Sequence, residues 1–230
     1  MKAFPRLDIL PDAQRRLWPE LAPARQCGFV LYGGTAVALR LGHRESLDFD
    51  FFTNSDFQPS NLEQSLPFLR AAAVLQQGPN TLTVLIPCGP GQVKVSLFGG
   101  LTFGRIEAPT VTPDGVMEVA ALRDLLGHKL KVMLQRVEAK DYLDIDAILA
   151  SGYDLAAGLA TAQALFRNFP AQDALKALSY YEGGDLPRLP KGVCERLARA
   201  AGAVRTIPPA PAVSPHLSAT QPPGPGPDGH

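Results

Sequence analysis

The chain has 230 residues, 46% hydrophobic and 19% charged, a balance typical of a globular protein with one sizeable domain or two small ones. Lys and Arg (22) equal Asp and Glu (22) in number, which argues against a highly basic protein that coats nucleic acid and leaves a local basic patch open. The three cysteines are far apart without CxxC spacing, which argues against a disulfide framework or a zinc site. No apolar run is long enough for a signal peptide or a membrane-spanning helix, so we expect a cytoplasmic protein with no membrane partner.

The first 115 residues predict a mixed α/β domain. Short apolar strands alternate with helices, and glycines or prolines mark most boundaries. In chain order, the predicted elements are a helix over 12–24 interrupted by Pro19 and Pro23, a strand FVLY at 29–32, a helix from Thr35 that stops at Gly42, a strand LDFDFF at 47–52, a helix over 61–73, and a hairpin of NTLTVLIPCG and GQVKVSLFGG.

The rest of the chain changes character. The apolar period becomes helical, so residues 116–205 predict a helical domain. Residues 206–230 are rich in Pro and Gly and predict a disordered tail. The sequence therefore predicts an α+β protein, a mixed-sheet domain followed by a helical domain that completes an active site at their junction.

Two aspartates interrupt the apolar strand LDFDFF. Residues two apart on a strand share a face, so Asp48 and Asp50 are expected to project together while Leu47, Phe49 and Phe51 face the core. Adjacent carboxylates repel each other unless a cation lies between them. Mg²⁺ binds through one or two carboxylates together with substrate phosphates, so the pair predicts half of a metal site. An exposed strand face or a strand end is the alternative.

The segment Gly33-Gly34-Thr35 lies between a strand and a helix. Glycine lets the backbone approach a ligand, and the N–H groups that begin a helix bind anions. The Thr35 hydroxyl is expected to cap the helix or to reach a phosphate. A helix start that only needs a glycine turn is the alternative. In the following loop, Arg44 and Ser46 are candidates for a phosphate contact and a hydrogen bond, with a solvated charge as the alternative for Arg44, and His43 is expected to be exposed.

A cationic stripe is predicted in the helical half. If residues 125–148 form one helix, then Lys129, Arg136, Lys140 and Asp144 share one face. Such a stripe could neutralise a triphosphate. A solvated face with ion pairs such as Lys140–Asp144 is the alternative.

Two segments carry a family resemblance. GGTAVALRLGHRESLDFDFF resembles the first motif of nucleotidyltransferase toxins of the AbiEii/AbiGii type, a branch of the DNA polymerase β-like superfamily. Lys129 followed by RVEAKDYLDI resembles the family's second signature, and the resemblance covers roughly residues 25–200. It implies a polymerase β-like core with a mixed sheet and a C-terminal helical domain. Lys129 then corresponds to the phosphate-contacting lysine and Asp144 to its acidic partner, with Arg136, Lys140 and Asp141 as supporting positions.

One position departs from the pattern. Polymerase β-like enzymes generally carry a third carboxylate on a neighbouring strand, and the strand QVKVSLF has Ser96 where it is expected. Either Asp144 supplies the missing carboxylate from the helical domain, or the protein binds nucleotide and transfers slowly or not at all.

The predicted function is a nucleotidyltransferase that uses Mg²⁺, or Mn²⁺, and a nucleoside triphosphate. Asp48 and Asp50 would hold the metal and Gly33, Gly34 and Thr35 the triphosphate. Lys129 would stabilise phosphate charge, and Asp144 would serve as third ligand or base.

The resemblance implies the toxin of a toxin–antitoxin or phage-defence pair, with an RNA such as tRNA as acceptor and a cognate antitoxin as partner. Transfer to a protein, nucleotide binding without catalysis, and a structural domain with chance motifs are the alternatives.

Overall fold

A mixed seven-stranded sheet organises residues 4–219, the part of the chain that the computed structural model describes. Its strands are β1 Val30–Tyr32, β2 Asp48–Phe52, β3 Ala73–Gly78, β4 Thr81–Cys88, β5 Gly91–Phe98, β6 Thr110–Val111 and β7 Glu118–Val119. They lie in the order β3-β4-β5-β2-β1-β7-β6. Strand β2 runs parallel to β5 and antiparallel to β1, while β7 runs parallel to β1. The remaining neighbours are antiparallel, so the predicted mixed sheet and the β4–β5 hairpin are confirmed.

The side chains of the central strand β2 alternate between the two faces of the sheet. Phe49 and Phe51 are fully buried, and Phe49 lies 6.1 Å from Trp18, ring centroid to ring centroid, in the segment before β1. Asp48 and Asp50 project from the opposite face, as the period of two predicts. The prediction that Leu47 faces the core is wrong, because Leu47 precedes the strand and is 65% exposed.

Helices cover both faces of the sheet. They are α1 Asp12–Leu17, α2 Ala22–Gln26, α3 Gly33–Leu41, α4 Pro59–Ser65, α5 Leu122–Val132, α6 Ala139–Ala150, α7 Leu155–Leu165, α8 Ala171–Ala177 and α9 Lys191–Ala203. Helix α3 contacts β1 and β2 and also α5 and α6, so it joins the sheet to the C-terminal helices. In residues 4–219 no helix is both long and apolar enough to span a bilayer.

The single helix predicted over 125–148 is wrong. Helix α5 ends at Val132, α6 begins at Ala139, and Glu138 between them is extended. Each helix buries its own apolar side chains, Leu126 and Leu130 on α5 and Ile145 on α6, at the core. The chain turns between the two helices, and they pack against each other.

Other boundaries also differ. The helix predicted over 61–73 is the shorter α4, a turn of 3₁₀ helix follows at Pro67–Leu69, and β3 begins at Ala73. The strand β7 pairs with β1 although it lies beyond residue 115, so the last strand of the sheet falls within the range predicted to be helical. Strands of two residues such as β6 and β7 leave almost no periodic signal in a sequence.

Much of the predicted disordered tail is ordered. Ser214 forms an antiparallel bridge with Arg105, and the Leu217 side chain is fully buried. The Leu217 N–H donates to Asn54 Oδ1 at 2.6 Å, and the Ala219 N–H donates to Glu118 Oε2 at 3.0 Å. Residues 206–219 thus differ from the predicted disordered tail in having one buried apolar side chain and these backbone hydrogen bonds. Residues 220–230 lie outside the described residues.

We predict that Leu217→Ala lowers the free energy of unfolding by about 2–5 kcal/mol, the usual cost of truncating a fully buried leucine. Urea denaturation measures the effect. Leu75→Ala is the matched control, because Leu75 is 55% exposed and its truncation should cost about 0.5 kcal/mol or less. Equal effects of the two substitutions would show that the C-terminal segment is not anchored at Leu217.

Candidate active site

A pocket of about 370 Å³ opens between the sheet and the turn that joins α5 to α6. Residues from both halves of the chain line it: Gly34, Arg44, Glu45, Ser46, Leu47, Asp48, Asp50, Lys94, Lys129, Arg136 and Lys140. Most of these side chains are charged. The pocket therefore lies where the sequence predicted a site, at the junction of the sheet and the helices.

The acidic pair lies at one wall of this pocket. Asp48 and Asp50 are paired across to β5 with Lys94 and Ser96, respectively. The Asp48 carboxylate forms an ion pair with Lys94, Oδ2 to Nζ 2.8 Å. Removal from water and the nearby charge of Asp48 raise the pKa of Asp50, against the opposing charges of Lys129, Lys94 and Arg136. The pair therefore favours a bound cation.

The two glycines make room for charged side chains of the site. Gly33 has φ +72°, and a Cβ there would lie 2.3 Å from Asp50 Oδ2. A Cβ on Gly34 would lie 2.5 Å from Arg44 Nη2. At Gly33 the left-handed backbone and the adjacent Asp50 carboxylate favour glycine. At Gly34 a Cβ would displace the Arg44 guanidinium, which packs against the start of α3.

Thr35 has a different role from the predicted one. Helix α3 already begins at Gly33, and the fully buried Thr35 hydroxyl donates to the backbone carbonyl of Asp48. The prediction that this hydroxyl caps the helix is therefore wrong. Of the three residues predicted to hold the triphosphate, only Gly34 lines the pocket. Thr35 instead fixes the backbone that carries the acidic pair.

A buried ion-pair network lies behind the pocket. The Lys129 ammonium lies 2.8 Å from Asp141 Oδ1 and 2.6 Å from Asp144 Oδ2. Arg44 donates to both Asp144 oxygens, at 2.7 and 2.9 Å, and His43 Nε2 lies 2.8 Å from Oδ1. His43 is therefore not the exposed residue that was predicted. All carboxylate oxygens in this network have cationic or hydrogen-bonding partners.

The network changes the expected role of Asp144. Burial alone would raise its pKa, but the hydrogen bond with His43 and the positive charges of Lys129 and Arg44 bring the pKa of Asp144 well below its usual range. Its side chain is fully buried and does not line the pocket. Asp144 thus orients Arg44 and Lys129, and this geometry does not favour the predicted role as third metal ligand or base.

The remaining cations line the pocket rim. Arg136 donates to Asp141 Oδ2 at 2.9 Å, and the Lys140 ammonium lies 2.8 Å from Glu138 Oε2. Neither the single-helix stripe nor the Lys140–Asp144 ion pair is present. The reversal between α5 and α6 nevertheless brings Lys129, Arg136 and Lys140 to one pocket, as the sequence predicted for a different reason.

Sequence reasoning missed Lys94. In the strand QVKVSLF the period of two places Lys94 on the same face of β5 as Ser96, the position where a carboxylate is expected. That alternation was the available signal. The pairing of Lys94 with Asp48 depends on the register between β2 and β5, which the sequence does not show.

An aromatic cluster surrounds His128, which precedes Lys129 in α5. The His128 ring lies 4.9 Å from Tyr32, 4.6 Å from Phe103 and 5.0 Å from Phe166, measured between ring centroids. Its Nε2 is inaccessible to solvent and has no hydrogen-bond partner. Removal from water, together with the Lys129 charge, lowers the pKa of His128 to about 3. The imidazole is therefore neutral near pH 7 and packs as an aromatic ring.

We predict that this histidine destabilises the fold in acid. The unfolded chain takes up the proton near pH 6.5 and the folded chain only near pH 3, so stability is lost as the pH falls between these values, by at most about 1.4 kcal/mol per pH unit. His128→Phe should flatten that part of the profile, measured by urea denaturation from pH 7 to pH 4. His216→Gln, at an exposed histidine, is the control for the loss of an imidazole. An unchanged slope in His128→Phe would contradict the prediction.

A mixed sheet with paired carboxylates on its central strand, closed by C-terminal helices that contribute cations, defines a nucleotidyltransferase-like fold. Residues 20–201 match the protein family described as "Nucleotidyl transferase AbiEii toxin, Type IV TA system", and the chain belongs to this family. Over 157 residues the chain is 30% identical to the "Uncharacterized protein aq_aa25" of Aquifex aeolicus (strain VF5). The alignment covers 67% of this chain and 74% of that protein. The resemblance drawn from the two motifs is confirmed. A toxin–antitoxin family implies an antitoxin as partner.

Proposed function

We propose that this chain is a Mg²⁺-dependent nucleotidyltransferase that moves a nucleoside monophosphate from a nucleoside triphosphate to an RNA acceptor, tRNA in particular. The supporting observation is the pocket, in which the acidic pair Asp48 and Asp50 faces the cations Lys129, Arg136 and Lys140. Acid pairs bind metal and clustered cations bind phosphates, so their convergence suits a metal–triphosphate substrate.

The acidic pair fits a divalent cation. Asp50 is partly buried beside Asp48, and its pKa is raised first by removal from water and then by the neighbouring Asp48 charge. Both side chains reach the pocket and supply the oxygen ligands that Mg²⁺ prefers. When bound, Mg²⁺ or Mn²⁺ would offset this charge and draw electron density from the phosphate oxygens.

The pocket cations are oriented before substrate binds. Asp144 holds Arg44 through two hydrogen bonds, and Asp141 holds Arg136 in the same way. Lys129 is fixed between these two carboxylates. Preorganised charge of this kind stabilises the negative charge that develops in transfer without reorganisation at the moment of reaction. We assign Lys129, Arg136, Lys140 and Arg44 to the triphosphate, with Ser46 and the Gly34 backbone beside it.

The proposed transfer is a direct displacement at the α-phosphorus, without a covalent enzyme intermediate. The acceptor hydroxyl oxygen forms a bond to the α-phosphorus, the bond from the α-phosphorus to the bridging oxygen breaks, and pyrophosphate leaves. The hydroxyl proton passes to solvent. The protein contributes positioning and electrostatic stabilisation.

The half-exposed cations suit a polyanionic acceptor. Arg136 and Lys140 keep 43% and 46% of their side-chain surface exposed at the rim. The mouth of the pocket that holds the triphosphate is therefore positively charged, which suits the approach of an RNA backbone. We place the activity in a toxin–antitoxin pair that acts in phage defence, inside the cytoplasm. Nucleotide binding without transfer is the second candidate, because Ser96 rather than a carboxylate lies beside Asp50.

A transfer assay tests the proposal. Purified protein and Mg²⁺ are offered each α-labelled nucleoside triphosphate in turn, with total tRNA and separately with lysate protein. We expect label in RNA with the wild type and none with Asp48→Ala/Asp50→Ala or after chelation. Label in protein would show that the acceptor is a protein instead of RNA. Nucleotide binding without any transfer would favour the second candidate.

A further inference from the structure

Lys94 is the pocket cation that pairs directly with the acidic pair. Its ammonium lies 2.8 Å from Asp48 Oδ2, and Lys94 lines the pocket. The other pocket cations pair with carboxylates of the α6 region: Lys129 with Asp141 and Asp144, Arg44 with Asp144, Arg136 with Asp141, and Lys140 with Glu138. Lys94 therefore differs from the other pocket cations in its ion-pair partner.

The strand that carries Lys94 is the one that could supply a third carboxylate. Strand β5 lies directly beside β2, and its residues opposite Asp48 and Asp50 are Lys94 and Ser96. Throughout residues 4–219, no group of three or more acidic, histidine or cysteine side chains is arranged to hold a metal ion. Asp144 is occupied by its own cations. The pocket thus offers two carboxylates, enough for one divalent ion, and the β5 residues beside them are a lysine and a serine instead of a third carboxylate.

The Lys94–Asp48 pair is a poor stabilising element. Both side chains are more than one third exposed, at 39% and 36%, and exposed ion pairs contribute little to the free energy of unfolding. Its position at the metal-binding carboxylate, rather than its strength, is what requires explanation.

We propose that the Lys94 ammonium takes the place of a second divalent cation, so that the pocket binds one divalent ion per chain. This inference rests on the proposed function. Two carboxylates, one divalent ion and one ammonium carry the same formal net charge as three carboxylates and two divalent ions. The exchange therefore presents the same charge to the substrate phosphates, and Lys94 supplies positive charge on the β5 side of the site.

The first test counts bound Mn²⁺ on the full chain by equilibrium dialysis and electron paramagnetic resonance, with each α,β-methylene nucleoside triphosphate at saturation. We expect one Mn²⁺ per wild-type complex. Lys94→Gln/Ser96→Asp removes the ammonium and adds a carboxylate beside Asp50, so this variant should bind two. Two Mn²⁺ ions in the wild-type complex would overturn the inference and leave the proposed function intact, while no bound Mn²⁺ would overturn both.

The second test uses single substitutions. Without nucleotide, Lys94→Gln should bind Mn²⁺ about tenfold more tightly, because a competing cation is gone, and should transfer about 100-fold more slowly. Lys94→Arg, which keeps the charge, should retain most of the transfer rate. Lys176→Gln is the matched control, since Lys176 pairs with Asp173 on the surface outside the pocket. If Lys94→Gln keeps the wild-type Mn²⁺ affinity and transfer rate, the inference is overturned and the proposed function stands.

Discussion

Asp50→Asn is expected to abolish nucleotidyl transfer and to make the metal-free protein more stable. The substitution removes a metal ligand, so transfer should fall by about 1,000-fold or more. It also removes a carboxylate whose pKa is raised by removal from water and by the charge of Asp48. The folded chain holds that proton more tightly than the unfolded chain, so ionisation of Asp50 destabilises the fold, and stability falls as the pH rises through the raised pKa.

At pH 7 the asparagine avoids this loss. We expect a Tm about 2–4 °C higher, the change that 1 kcal/mol produces in a domain of this size, measured by calorimetry in chelator. Asp48→Asn should lose transfer with a smaller gain, because it relieves only the repulsion on Asp50 and also removes the ion pair with Lys94. Asp12→Asn, at an exposed aspartate of α1, controls for the chemical change itself. Full transfer by Asp50→Asn would contradict the assignment of the metal ligands.

Lys129→Met is expected to have the largest effect on stability. Lys129 is 6% exposed and forms ion pairs with Asp141 and Asp144, whose side chains are fully buried. Its loss leaves two buried carboxylates short of a cation, a change that typically costs about 3–5 kcal/mol. Transfer should disappear as well, because Lys129 reaches the pocket. Urea denaturation and the labelled-nucleotide assay measure the two losses.

A double variant separates the two roles of this lysine. In Lys129→Met/Asp144→Asn one of the two unpaired buried carboxylates is gone, so stability should recover in part while transfer stays absent.

The loss of stability at acid pH is a second measure of this network. Burial alone would raise the pKa of Asp141, but Arg136 and Lys129 lower it, and the pKa of Asp144 is also lowered. The stabilisation of the fold by these two ionised carboxylates is present above the pKa of 3.8 that an aspartate has in the unfolded chain. It is lost as the pH falls below that value. Wild-type stability for Lys129→Met would show that the network is not a structural element.

Local periodicity accounts for what the sequence determined. Alternation by two on LDFDFF placed Asp48 and Asp50 on one face, and turn residues delimited the β4–β5 hairpin. The motif around Gly33-Gly34 indicates the same family that residues 20–201 match. These features depend on residues close together in the chain, where spacing alone fixes the relative direction of side chains.

The tertiary structure decided everything that depends on distant partners. The register of β2 against β5 paired Asp48 with Lys94, and the reversal between α5 and α6 let Lys129 lie between Asp141 and Asp144. Burial of Leu217 ordered a proline-rich segment that composition alone assigns to disorder. Sequence patterns report local conformational preference. Ion pairing and burial depend on which surfaces meet, and the free energy of those contacts can override the local preference.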